Sequence, residues 1–352
     1  MNPRLSFLHT FRVVLLSVLL GVYWPTTSPA HDAQTLYNQA LSQVQQQNFS
    51  EAAQFLRQAL KEFPGFANAH HLLGVVLFNG LEQSDKAIKH LEQAVSLHPN
   101  FARAYLDLGL VHQHAGNFPK AKLALQKAME IYPHYVEAQL NLAFVFDQMH
   151  TTQEAIGAYQ ATLKLNPDQP TALYNLATLH DSQGNIKQAK QYLKKLTQID
   201  PNHANAWLTL AQLAEKQNQN NQAIQAYQRA LRANNNLLEA HYALGFLFQA
   251  QDQSQRAAEH FKRVIQLDSK HAEAHLNLGV LYANLDKLDQ AEKEYQSAIS
   301  LNPRLVEAYY NLGVFYEFYR KDTGRALAQY RNYAELGGKD KRVRNLLKKT
   351  GQ

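Results

Sequence analysis

Histidine is the first residue type in this chain whose number and spacing invite chemistry. Sixteen occur, and the arrangements closest to a metal-ligand pair are His271-x-x-x-His275 and His112-x-His114. Two His four apart share a helix face and can share a metal, but neither pair has a Cys or carboxylate placed to complete a set, and no Glu stands as in His-Glu-x-x-His. No metal site is expected. No nucleophile elbow, phosphate loop or ordered Ser, His and Asp set occurs either, so no catalytic residue and no cofactor are expected. A different chemistry is offered by Asp107, Asn141, Asn175, Thr209, Ala243, Asn277 and Asn311, which recur at one place in successive stretches of chain. A carboxamide presents both a donor and an acceptor to a peptide backbone, so a row of Asn can hold an extended chain with little demand on its sequence. Two readings fit the row: a ladder broken at Thr209 and Ala243, or a preference of the scaffold for Asn-Leu-Gly.

Apolar residues flank this row. The residue before each member is Leu106, Leu140, Tyr174, Leu208, Tyr242, Leu276 or Tyr310, and the third residue after it is Leu110, Phe144, Thr178, Gln212, Phe246, Val280 or Val314. They either floor a groove or are covered by neighbouring helices. The expected partner-binding residues are Asp107, Asn141, Asn175, Asn277 and Asn311, with Tyr174, Tyr242 and Tyr310 beside them.

What must position these residues is a unit of 34 residues written nine times between Ala33 and Gly337. Its eighth position is small, as at Gly74, Gly109, Ala143, Gly245 and Gly313, and an Ala follows twelve or thirteen residues later in every copy, from Ala52 to Ala326. Apolar residues at i, i+3, i+4 and i+7, for example Leu173, Leu176 and Ala177, predict one helix over about positions 1 to 14. Turn-prone residues such as Gly116-Asn117 and Gly184-Asn185 then precede a second apolar stripe, and Pro64, Pro99, Pro133, Pro167, Pro201 and Pro303 close six of the copies. The small positions let paired helices approach closely, while a larger residue opposite, such as Leu125 or Tyr295, fills the remaining space.

On these residues the chain resembles the tetratricopeptide repeat (TPR) family over about nine-tenths of its length. The resemblance implies an all-α solenoid, a right-handed superhelix of about nine helix-turn-helix repeats near 33–66, 67–101, 102–135, 136–169, 170–203, 204–237, 238–271, 272–305 and 306–338. A basic capping helix and tail are expected over 339–352, with Val343, Leu346 and Leu347 on one face. Extra residues in units two and nine, at Asn79-Gly80-Leu81 and Lys321-Asp322-Thr323-Gly324, are expected in the turns between helices. The Asn row is similar to the asparagine ladder of the protein O-GlcNAc transferase repeats. Position 2 carries Glu137, Glu239, Glu273 and Glu307 against a lone Arg103, which departs from the Lys and Arg clamp of co-chaperone repeats.

The N-terminus belongs to another class of segment. Arg4 and Arg12 precede the apolar run Val13–Val22 and the small-residue site Ser28-Pro29-Ala30, the pattern of a signal peptide over 1–30 with cleavage after Ala30. The alternative is an uncleaved inner-membrane anchor, although spanning a bilayer takes about twenty apolar residues. Loss of Arg4 and Arg12, with no acid in that segment, takes the net charge from +6 to +4. No nucleic-acid motif or basic stripe is present, and contact of the basic cap with a membrane is open but not favoured. The absence of Cys suits a bacterial envelope. It also separates the chain from lipid-anchored repeat proteins that help assemble pili or outer-membrane barrels, and from repeat proteins that carry a Cys-x-x-Cys metal domain. The resulting expectation is a periplasmic, non-enzymatic scaffold that binds a protein or extended peptide in envelope assembly or secretion. A membrane-anchored adaptor for a partner enzyme and a regulatory subunit of a separate glycosyltransferase are the alternatives.

Overall fold

The computed structural model describes residues 29–350. The expected signal segment therefore lies, apart from Pro29 and Ala30, outside the described residues. Among those described, every regular element is helical, and they form nine antiparallel helix pairs followed by a single helix. The chain divides into two compact units, one ending at Asn166 and the other beginning at Pro167.

The first unit holds four pairs: α1 (Pro29–Gln45) with α2 (Phe49–Glu62), α3 (Ala67–Asn79) with α4 (Ser84–Leu97), α5 (Ala102–His114) with α6 (Phe118–Ile131), and α7 (Val136–Gln148) with α8 (Thr152–Leu165). The second unit holds α9 (Pro170–Ser182) with α10 (Ile186–Ile199), α11 (Ala204–Glu215) with α12 (Asn220–Ala233), α13 (Leu238–Gln249) with α14 (Ser254–Leu267), and α15 (Ala272–Asn284) with α16 (Leu288–Leu301). Its last pair is α17 (Val306–Val314), prolonged by a π-helical turn (Phe315–Tyr319), with α18 (Thr323–Glu335), and α19 (Lys341–Lys349) packs on α18. Within each unit, a second helix also packs on the first helix of the following pair, so each unit is an α-solenoid.

The crossings inside the pairs follow the small-against-large rule. A Cβ added at Gly74 or Gly109 would lie 2.6 or 2.7 Å from Leu91 or Leu125, and one at Gly245, Gly279 or Gly313 would lie 2.6, 2.9 or 2.5 Å from Phe261, Tyr295 or Tyr330. In the copies with Ala143 and Ala211 at the small position, Tyr159 and Tyr227 occupy the place of Leu125 and Phe261 and are likewise buried. In α19, Val343 and Leu347 are buried, and Asp340 accepts from the Val343 N–H at 2.9 Å to start the helix.

Proline is not required where the second helices end. Tyr132, before Pro133, has φ −131° and ψ 91°, the extended geometry that a following Pro favours. Asn234 and Asp268, before Asn235 and Ser269, adopt nearly the same values, φ −146° and −139° with ψ 101° and 96°. A tertiary hydrogen bond reinforces the turn. The side chain at position 4 of the next copy donates to the carbonyl six residues earlier: His70 to Pro64, Trp207 to Pro201, His241 to Asn235 and Tyr309 to Pro303, at 2.8–3.2 Å. An aromatic ring with a polar tip is what this place needs, which is why His, Trp and Tyr exchange there.

The extra residue of the ninth copy is not in the turn, contrary to expectation. Lys321, with φ 55°, takes the left-handed place that Gly116 and Gly184 hold elsewhere, and Asp322 caps α18 as Asn117 caps α6. The insertion is absorbed earlier, where Arg320 N–H bonds to Phe315 O across five residues. A π turn takes in one residue while leaving both flanking helices intact. It also leaves Phe318 and Tyr319 exposed.

Candidate functional site

The first helices of the pairs share a face in each unit. Side chains bridge successive first helices there: Arg103 on α5 approaches Glu137 on α7, Lys216, the C-cap of α11, pairs with Asp181 on α9, and Gln212 on α11 donates to Glu239 on α13. The sequence-derived site residues lie on these helices.

In the first unit they differ from one another. Asp107 is buried, 5% exposed, and one carboxylate oxygen accepts from His71 Nε2 at 2.7 Å and from Arg103 Nε at 3.0 Å. Burial pushes its pKa up, but the His71 hydrogen bond and the Arg103 charge outweigh that and hold the carboxyl below its ordinary value. Asn141 is half-buried, and its Nδ2 donates to Glu137 O, one turn back on the same helix, at 2.7 Å.

The second unit holds the rest. Asn175, Asn277 and Asn311 are half-buried. Asn277 donates to Glu273 O at 2.8 Å, and Thr209, which interrupts the row, uses its hydroxyl in the same way toward Asn205 O at 2.9 Å. At Asn141, Thr209 and Asn277 the polar group at this position closes on its own helix through an i to i−4 bond. An amide so bonded keeps its oxygen and its second N–H for another partner.

Each of the three tyrosines packs at a tilt against a ring farther along the chain. Tyr174 lies 5.4 Å from the His203 ring and Tyr242 lies 4.8 Å from that of His271, while Tyr310 lies 5.3 Å from Tyr333. His203 and His271 are N-caps whose Nδ1 accepts from the Ala206 and Ala274 N–H groups, leaving Nε2 to carry the proton. All three tyrosines are half-buried, and Phe246 between them is 42% exposed.

Several histidines find a partner on the other helix of their own pair rather than along one helix. His271 caps α15, whereas His275 Nδ1 meets Glu294 Oε2 at 2.5 Å; His112 is buried and His114 packs against Phe78. Among the described residues no group of three or more His, Cys, Asp or Glu is placed to hold a metal. His70 and His90 face each other with Nδ1 atoms 3.0 Å apart, and His241 and His260 repeat the arrangement at 2.9 Å. Because His70 and His241 donate from Nε2 to carbonyls, their neutral rings accept at Nδ1, and His90 and His260 supply the shared proton.

These pairs make stability depend on pH. Burial, then the His70 ring, then Arg57 hold His90 down to about 4, and burial, His241 and Arg256 hold His260 at about 4. Burial lowers His70 and His241 as well. Folded-state values below the free value of about 6.5 mean that the unfolded chain takes up more protons. The contribution of the neutral pairs is full above about pH 6.5 and is lost as pH falls toward about 4. Melting temperatures measured across that window should fall less steeply for a His90→Gln, His260→Gln variant than for the parent. Parallel curves would place the acid sensitivity elsewhere.

Comparison with known proteins agrees with the architecture. Family profiles described as tetratricopeptide repeat match residues 37–80, 65–134 and 248–314, one described as TPR repeat matches 216–252, and one described as anaphase-promoting complex, cyclosome, subunit 3 matches 148–230. Among solved structures, the chain is similar to the C-terminal part of a TPR repeat-containing protein from Cytophaga hutchinsonii, with TM-score 0.60 and 16% identity over 69% of this chain and 99% of that one. It is also similar to Pseudomonas aeruginosa pilF, with TM-score 0.52 and 24% identity over 63% of this chain and 99% of that one. At such identities the likeness is one of fold. No curated sequence matches the chain.

Proposed function

We propose, from the premise that the chain is a tetratricopeptide-repeat protein, that it is a protein-interaction scaffold whose first-helix faces hold an extended segment of a partner, and that it serves envelope assembly or secretion. The observation that carries this reading is the set of half-buried Tyr174, Tyr242 and Tyr310 on one face with Phe246 exposed among them. Rings of this kind give contact area at small cost in conformational entropy, and the Asn141 and Asn277 amides, each bonded once to its own helix, retain hydrogen-bonding groups for a backbone. The envelope part of the proposal rests on the segment from Arg4 to Ala30, read as an export signal.

The chain starting at His31, immobilised and exposed to the envelope fraction, should retain a partner identifiable by mass. Changing Asn141, Asn175, Asn277 and Asn311 together to Ala should weaken retention at least tenfold, because a loss of about 1.4 kcal/mol suffices for that factor and each hydrogen bond contributes roughly 0.5–1.5 kcal/mol. Stability should hardly change, since Ala favours a helix more than Asn does. A quadruple variant that melts several degrees lower yet retains the partner would assign the row to the scaffold.

A further inference from the structure

The first-helix face of the second unit carries three carboxylates in register. Glu239, Glu273 and Glu307 occupy the second position of α13, α15 and α17, and all three are exposed. No Lys or Arg among the described residues pairs with them: Glu239 accepts from Gln212 Nε2 at 2.6 Å, and Glu273 lies 3.3 Å from His271 Nδ1. Acids elsewhere in this unit's first-helix row are occupied, Asp181 on α9 by Lys216, Glu215 on α11 by the Tyr227 hydroxyl and Glu317 in the π turn by Arg342. The uncompensated charge is opposite in sign to the chain as a whole, which is +6.

Apolar surface lies between these carboxylates. Phe246 is 42% exposed, and Tyr242, 4.9 Å from it, has its hydroxyl pKa raised by burial and then by the Glu273 charge. At the far end, Glu307, Tyr310 and Asn311 line a hollow of about 400 Å³ together with Tyr333 and Lys339.

We infer that this face takes a cationic segment of a partner protein, in which Lys or Arg side chains meet Glu239, Glu273 and Glu307 while apolar side chains between them rest on Tyr242, Phe246 and Tyr310. The inference rests on the reading of this face as the partner's seat and adds the partner's chemistry. A single exposed ion pair contributes little, but three carboxylates with only Lys339 near the last of them form a field that a cationic strand relieves at several points. Such binding weakens as salt shortens the screening length.

The test uses the mature chain and three fluorescent decapeptides, alternating Lys and Leu, Gln and Leu, or Glu and Leu, followed by anisotropy at low and high salt. Affinity should fall in that order at low salt. Changing Glu239, Glu273 and Glu307 to Gln should weaken the Lys peptide about tenfold with an unchanged melting curve, and the order should flatten at high salt. Equal affinity for the Lys and Glu peptides, or a triple variant that keeps its affinity for the Lys peptide, would overturn the inference. A Phe246→Ser variant separates the two levels. If it weakens all three peptides alike while charge makes no difference, the face remains the partner's seat and only the cationic assignment falls. If it weakens none of them, the seat itself is elsewhere and both fall.

Discussion

Phe261→Ala is expected to lower the stability of the second unit by about 3–5 kcal/mol, the range for emptying a buried aromatic site. Phe261 on α14 is fully buried, its ring fills the space that Gly245 leaves open, and Phe246 and Tyr242 pack on it at 5.3 and 5.7 Å. Removing the ring opens a cavity at the crossing of α13 and α14 and withdraws support from the two rings nearest the proposed seat. Because a solenoid's stability is a sum of repeat and interface terms, the damage should be local. Amide exchange should accelerate in α13 and α14 first, and urea unfolding should report the total. A loss below about 1 kcal/mol would mean that neighbouring side chains collapse into the space, which the rigid small-against-large crossing argues against.

In the first unit, Arg103→Met is expected to cost about 3 kcal/mol, the low end for removing one partner from a buried ion pair. The Asp107 side chain is 7% exposed and would keep only His71, whereas Arg103, at 31% exposure, has its own access to water, which is why the low end applies. The same change removes one of the charges that hold the Asp107 carboxyl below its ordinary value, so acid should protonate it earlier. Adding Asp107→Asn to that variant should recover a large share of the loss, because the buried charge is then gone. Urea unfolding of the two single variants and the double variant measures the coupling. Strictly additive losses would show that Asp107 is solvated and that the network is a surface feature.

Periodicity alone made the fold legible. The stripe of Leu173, Leu176 and Ala177 and its counterparts states which face of each helix is buried, and the alternation of Gly245 with Phe261 or Gly109 with Leu125 states how the faces fit. Even the ends of α12 and α14 obey the repeat where proline is missing, since Asn234 and Asp268 keep the extended turn. Tertiary structure decided the fate of individual polar groups. Asp107 and Asn141 hold the same place in consecutive copies, yet Asp107 is buried because residue 71 of the preceding copy is a His that reaches its carboxylate. His70 and His241 stand where other copies carry Trp207 or Tyr309, but their bonds to His90 and His260 depend on a residue on the other helix of the pair. The extra residue of the ninth copy entered a π turn rather than a loop, keeping Lys321 and Asp322 in the geometry that starts α18. The physical reason is one of range. A repeat constrains burial through neighbours three or four residues away on one helix, whereas a polar group is satisfied by one partner about twenty or thirty-five residues away, whose identity the period leaves open.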